Sequence, residues 1–256
     1  MSFVKFLSLW QMSENKKEVL PYNGTKGSKK EEVASMFDNI SKRYDFLNIF
    51  LSFGIDRLWR KRVIKTLRPL KPTNVLDIAT GTGDLAFQLA KITDGKVIGA
   101  DISEGMLAVA REKEGRKSLP CRVEFMTADA ENLPFADGMF DAITVAFGIR
   151  NFQNPLAGLK EMKRTTRKGG VIAVLEFSKP TAFPIKQLFH FYSFRLIPFF
   201  GKLFSGDGRA YTYLPESVQA FPEGDDFLNL MIQAGLNSCT QRKLSFGIAS
   251  LYTGKV

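Results

Sequence analysis

"NVLDIATGTGDLAFQLA", residues 74–90, passes from an apolar run through a glycine-rich turn into a helical pattern. A strand that ends this way before a helix aims backbone N–H groups and the positive end of the helix at a ligand. The dinucleotide-binding form of the turn uses three glycines, the last for close helix–strand packing. Here Gly81-Thr82-Gly83 is followed by Asp84-Leu85-Ala86. Ala can take the place of that last Gly, so the glycines alone do not choose the ligand. The acids do. Asp84 at the mouth of the helix would repel a pyrophosphate, but suits a zwitterionic or cationic ligand. Asp77, four residues before Gly81, adds a second carboxylate able to face an ammonium and a sulfonium.

The next strand, in "KVIGADIS", ends at Asp101, 20 residues past Gly81. A carboxylate there accepts both hydroxyls of a ribose, as in NAD proteins. The third strand leads into "TADAENLPF", where Asp129, followed by Ala130, is placed to accept from an adenine amino group. Asp77, Gly81, Gly83, Asp101 and Asp129, in order along successive strand ends, point to S-adenosylmethionine as the cofactor.

Around this turn, strands and helices alternate. Strands are expected at 75–79, 96–100, 122–126, 142–146 and 171–177, with helices at 85–91, 103–112 (capped by Ser103) and 156–165. This rhythm predicts an α/β fold with a parallel sheet covered on both faces. The runs 237–244 and 248–253 around "SFG" suit a closing hairpin. Upstream, residues 33–70 carry apolar residues at helical spacing, broken near Ser52–Gly54. Residues 1–32 read as a flexible polar tail, whose first eleven residues precede a second Met at position 12. That leaves one domain over 33–256.

Residues 183–204, "FPIKQLFHFYSFRLIPFFGKLF", hold eight aromatics, basic residues and no acid. They lie in a segment, 181–217, expected to cover the substrate, packed over the sheet edge, closing on a greasy ligand, or dipping into a lipid surface.

Lys and Arg outnumber Asp and Glu by 36 to 26, a net charge of +10 that favours an anionic partner. No apolar run is long enough to span a bilayer, and the N-terminus lacks the apolar centre of a signal peptide. Cys121 and Cys239 stand in no metal spacing, and no metal is expected. The expected location is cytoplasmic, with peripheral contact at the inner face of the membrane.

The chain resembles the ubiquinone/menaquinone biosynthesis C-methyltransferase family, through "YDFLNIFLSFGIDRLW" (44–59), "FGIRN" (147–151), "RTTRKGGVIAVLEFSKP" (164–180) and "YTYLPESV" (211–218). The resemblance implies a class I methyltransferase (Rossmann-like) fold: a seven-stranded sheet with one strand reversed, helices on both faces and an N-terminal helical extension. It implies cofactor contacts at Thr82, Asp101, Asp129 and Ala130. Three positions depart from the family pattern: Ala146 where Ser is usual, Asp56 for His, and Leu47 for Met.

The implied reaction is attack of an electron-rich ring carbon on the sulfonium methyl, with a polyprenyl quinol as substrate, a demethylmenaquinol ahead of a benzoquinol. Arg150, after the fourth strand, is the candidate for stabilising the phenolate. Asn151 could orient the ring. Tyr44, Tyr211 and Tyr213 are candidate pocket walls, and His190 is the only histidine available as a base. A short-chain dehydrogenase is excluded, because the one Tyr-x-x-x-Lys, Tyr22 to Lys26, lies in the tail. An RNA methyltransferase remains the alternative from another class, although no RNA-binding module is visible and "NFQNP" lacks a stacking aromatic. No nucleic-acid partner is therefore expected, and a homodimer is left open.

Overall fold

The structure, a computed structural model, describes residues 19–25, 27–199 and 208–256. Two helices come first, α1 (Lys29–Ser52) and α2 (Ile55–Leu67). The first begins at Lys29, inside the stretch expected to be a tail. Ser28 caps it with a reciprocal capping box: its side chain takes the backbone of Glu31, whose own side chain reaches back to the cap. Phe53 and Gly54, both at positive φ, turn the chain sharply between the two helices.

There follow β1 (Asn74–Ile78), α3 (Asp84–Leu89), β2 (Lys96–Asp101), α4 (Glu104–Glu114), β3 (Arg122–Thr127), β4 (Phe140–Ala146), α5 (Pro155–Thr165) and β5 (Thr166–Phe177). Ser103 caps α4 and Asn154 caps α5, each accepting from a backbone N–H in the first turn. The chain continues with α6 (Ile185–Phe191), a π-turn at Tyr192–Leu196, α7 (Gly208–Ala220), α8 (Asp225–Gln233), and the hairpin β6 (Asn237–Leu244) and β7 (Ala249–Lys255).

The seven strands form one sheet in the order β3-β2-β1-β4-β5-β7-β6. All pair in parallel except at β7, which runs against both β5 and β6. Alternate residues of the central strands feed opposite faces. Leu76, Ile98, Ile143 and Val174 pack with α5 and α8. Val75, Val97, Ala142 and Leu175 pack with α2 and α3. A third cluster joins Met36, Ile40 and Leu47 of α1 to Tyr211 and Tyr213 of α7. It holds α1 as a roof over the carboxyl ends of β1, β2 and β4, where an open α/β sheet binds its ligands.

Candidate active site

The chain leaves β1 through Ala79, Gly81 and Gly83, all at positive φ. At Gly83 a side chain would meet the Phe125 ring at 2.8 Å, so glycine fits both the conformation and the close approach. The Gly81 N–H donates to Asp101 Oδ2 (2.8 Å) and the Ser103 N–H to Asp101 Oδ1 (2.9 Å). Burial pushes the Asp101 carboxyl above its usual range, and those backbone donors oppose the shift. Each oxygen keeps acceptor capacity for one more donor. That is the donor set a ribose diol completes.

Gly81, Asp101, Asp129 and Ala130 line a cleft of about 670 Å³ at the strand ends, joined by Ala146 and Asn151. Asp129 is bound by Lys30 of α1 and by the Glu131 N–H (3.0 Å). Lys29 spans the same rim, donating to the carbonyl of Phe152 (2.8 Å). This cleft suits S-adenosylmethionine: a buried carboxylate for the ribose, a second for the adenine edge, and backbone opening on the ligand at Gly81.

Three residues expected to contact the cofactor stand elsewhere. Asp77 lies under the turn, buried, accepting from Thr80 Oγ1 (2.7 Å) and Thr144 Oγ1 (2.6 Å). Burial raises its pKa to about 6. It braces the turn and does not line the cleft. The Thr82 hydroxyl donates to Asp45 of α1, where Lys113 also binds Asp45 (2.7 Å) and Asp84 (2.6 Å). Asp84 is thereby neutralised on the outer side of the turn. Gly83 shapes the start of α3 without lining the cleft.

A second cavity, about 1490 Å³, lies between α1, α2, the π-turn and α7. It meets the cofactor cleft at Phe37, Tyr44 and Phe147, which line both. Burial pushes the Tyr44 hydroxyl above its usual range. Phe147 holds a positive φ, and a side chain on the next residue, Gly148, would strike Ala79 at 2.4 Å. This close passage sets the partition between the two spaces.

Arg150 and Tyr211 line the larger cavity. Arg150 Nη1 donates to Glu176 Oε1 (2.9 Å) and to the Phe147 carbonyl, and Nε donates to Ser217 (3.3 Å). Its guanidinium lies over the Phe177 ring, 5.5 Å from the centroid. Nη2 bonds to nothing among the described residues, and no buried side-chain polar atom there lacks a partner. Nη2 therefore opens on the cavity. Asn151 lines the cofactor cleft instead, where it accepts from the Tyr213 hydroxyl (3.2 Å). His190 is exposed, its ring 4.7 Å from that of Phe194, outside both spaces. It is not placed to act as a base. Residues 200–204 of the aromatic stretch, Phe200 among them, lie outside the described residues.

The sequence reading missed Glu176 and the buried pairing of Asp56 with Arg60 in the larger cavity. Glu176 had a signal, a lone acid inside the apolar strand "VIAVLEF". A buried carboxylate there requires a cation, and Arg150 is that cation.

A model of the ubiE/COQ5 methyltransferase family matches residues 25–255. The chain belongs to this family. Its members include demethylmenaquinone methyltransferase of Bacteroides fragilis, 46% identical over 94% of this chain and 99% of that protein. The enzyme of that name from Porphyromonas gingivalis is 42% identical over the same shares. The ubiquinone/menaquinone biosynthesis C-methyltransferase of Geobacter sulfurreducens is 44% identical over 89% of each chain. A solved S-adenosylmethionine-dependent methyltransferase of Thermotoga maritima shares the fold at 22% identity (TM-score 0.59, 86% of this chain and 98% of that one). This member of the ubiE/COQ5 family is an S-adenosylmethionine-dependent C-methyltransferase.

Proposed function

We propose that the protein methylates the ring of a polyprenyl demethylmenaquinol, taken from a membrane surface. The observation that carries this reading is the pair of spaces that share Phe37, Tyr44 and Phe147 as a wall: a cleft with carboxylates placed for the cofactor, and a large aromatic-lined cavity holding an arginine. The relatives named for demethylmenaquinone methylation support the naphthoquinol over the benzoquinol.

When bound, S-adenosylmethionine supplies an electrophilic methyl. Asp101 would hold the ribose and Asp129 the adenine edge, with Tyr44 and Phe147 between the cleft and the larger cavity. Phe147 and Phe177, 4.7 Å apart between centroids, offer ring faces for the substrate. Arg150 is fixed by Glu176 and Ser217, leaving Nη2 to meet a ring oxygen. A preorganised cation there stabilises charge that develops only as the ring carbon attacks.

The apolar tail and the exposed surface belong to the same reading. Phe46, Phe50, Phe53 and Leu58 of the α1–α2 elbow are exposed, as are Phe183, Leu188 and Phe191 around α6. Phe53 meets Tyr192 of the π-turn at 6.2 Å between ring centroids, so elbow and π-turn adjoin. Arg57, Lys61, Lys186 and Arg195, also exposed, lie among them in sequence. An apolar face with basic residues suits an anionic lipid interface, and no helix of the described residues could cross a membrane.

The test is methyl transfer from labelled S-adenosylmethionine to demethylmenaquinol, a ubiquinone-pathway benzoquinol, and RNA, with complementation of menaquinone- and ubiquinone-deficient cells. Methylated naphthoquinol and rescue of the menaquinone-deficient strain are expected. Label in the benzoquinol alone, or in RNA, would overturn the reading.

A further inference from the structure

Ring methylation requires the substrate hydroxyl to give up its proton as the carbon attacks, and Arg150 cannot take it, because an arginine is always protonated. We infer that Asp56 is the acceptor of that proton and that Arg60 is the positioning residue holding it. This rests on the quinol reading of the larger cavity. Asp56 is the only carboxylate, and there is no histidine, among the described residues lining that cavity. The remaining titratable groups there are tyrosines, and burial pushes those of Tyr44 and Tyr192 up, away from serving as bases.

The geometry is specific. Asp56 Oδ1 accepts from Ser52 Oγ (2.7 Å), and Oδ2 is bound by Arg60 Nη1. Both side chains are about nine-tenths buried. The Arg60 guanidinium stands 5.7 Å from the Phe147 centroid, beside the wall where the two spaces meet. On the other side, Phe147 packs at a tilt against Phe177, over whose ring the Arg150 guanidinium lies. The two arginines thus flank one aromatic pair. Arg60 Nε and Nη2 bond to nothing among the described residues and, like Arg150 Nη2, reach open space.

A buried ion pair is weak support for stability, since apolar residues of similar volume often serve as well or better. Its place in a greasy cavity beside the reacting wall points to chemistry. The groups facing Asp56 across the cavity are Arg60, Arg150, Tyr44, Tyr192, Tyr211 and Tyr213. None is a competing carboxylate.

In the step, the ring carbon forms its bond to the methyl as the carbon–sulfur pair stays on sulfur. The hydroxyl O–H pair moves into the ring and its proton passes to Asp56. The ring C–H proton then leaves to water, aromaticity returns, and Asp56 hands its proton back to the ring oxygen. One proton is released overall.

The test uses the full-length protein with demethylmenaquinol in micelles. Asp56→Asn should lower kcat by roughly 100-fold or more and leave cofactor Kd and quinol KM within about threefold. A ring-fluorinated quinol, with a more acidic hydroxyl, should narrow the gap to wild type. Turnover of the variant within about threefold of wild type, or an unchanged gap with the fluorinated ring, would overturn the assignment. Should the single substitution leave Arg60 uncompensated and the fold fail, the double variant Asp56→Asn/Arg60→Met removes both charges. The same loss is expected there, and wild-type turnover would refute it. If the wild type itself methylates no quinol, the reading of the cavity fails and not the choice of base.

Discussion

Asp77 and Asp101 look alike in the sequence, each an acid at the end of an apolar strand, yet the fold gives them opposite tasks. Asp101 faces the cleft with acceptor capacity to spare, whereas Asp77 is spent on Thr80 and Thr144 beneath the turn. Asp101→Ala should weaken S-adenosylmethionine binding by about 2–4 kcal/mol by stranding the ribose hydroxyls. Unchanged affinity in calorimetry would remove the ribose assignment. Asp77 makes its prediction through pH. Its native pKa near 6 lies above the usual carboxylate value of 3.8. The native state therefore favours its protonated form, and its contribution to stability is present below about pH 4 and lost as pH rises through 6. Asp77→Asn should flatten that decline, gaining stability over wild type at pH 8 relative to pH 4 in urea melts. Parallel pH profiles for the two proteins would show that the carboxyl titrates alike in both states. For Arg150, the buried Glu176 partner makes removal of charge disruptive, so Lys is the informative change. Arg150→Lys should cut kcat far more than it weakens cofactor binding. Equal losses would make the arginine a structural anchor.

The elements were legible where periodicity and caps agreed. The expected strand at 237–244 matches β6, and the Ser103 cap and the break after Ser52 fall where the sequence placed them. The start of α1 was hidden by composition, because its first turn is Lys-Lys-Glu-Glu and looks like solvated tail. The Ser28…Glu31 capping box was the signal to read instead. β5 begins at Thr166, not Val171: Thr166 pairs with Phe140, and the exposed residues 167–169 fall in an irregularity of the ladder before regular pairing with β4 and β7 starts at Val171, so no apolar run marks them. The aromatic stretch carried no periodicity that separates covering from inserting. The structure sets the π-turn that follows α6 against the elbow after α1. From that meeting we expect Phe53→Ser/Phe191→Ser to lower binding to anionic vesicles and turnover of long-tailed quinol, while sparing a short-tailed analogue. An equal loss on both substrates would place these rings in the catalytic fold.

At the scale of the molecule, the alternating strands announced the parallel sheet and the cofactor edge, since these follow from chain rhythm and handed crossovers, while the single reversed strand was implied by the family resemblance. The larger cavity was not legible. It is assembled from α1, α2, the π-turn and α7, which meet only through tertiary packing. With a charge of +10 and the apolar face described above, binding to anionic vesicles should weaken as salt rises. Binding that is indifferent to salt would mean that the apolar rings act alone.

The roof of both spaces is one helix. At 24 residues, α1 is about 36 Å long. Near its start Lys29 and Lys30 tie down the rim of the cofactor cleft, and near its end Phe46 and Phe50 face outward. Such a rod works as a seesaw with its pivot near Asp38, which accepts from Ser103 Oγ (2.6 Å) and the Gly105 N–H (2.9 Å) on α4. Pinning the far end in lipid restrains the near end. Spent cofactor should accordingly leave more slowly from vesicle-bound enzyme than from enzyme in solution, in stopped-flow displacement. Equal release rates would mean that the two arms move independently. On that outcome the bilayer would act as a clutch, holding the loaded enzyme at the surface and freeing it to reload once it drifts off.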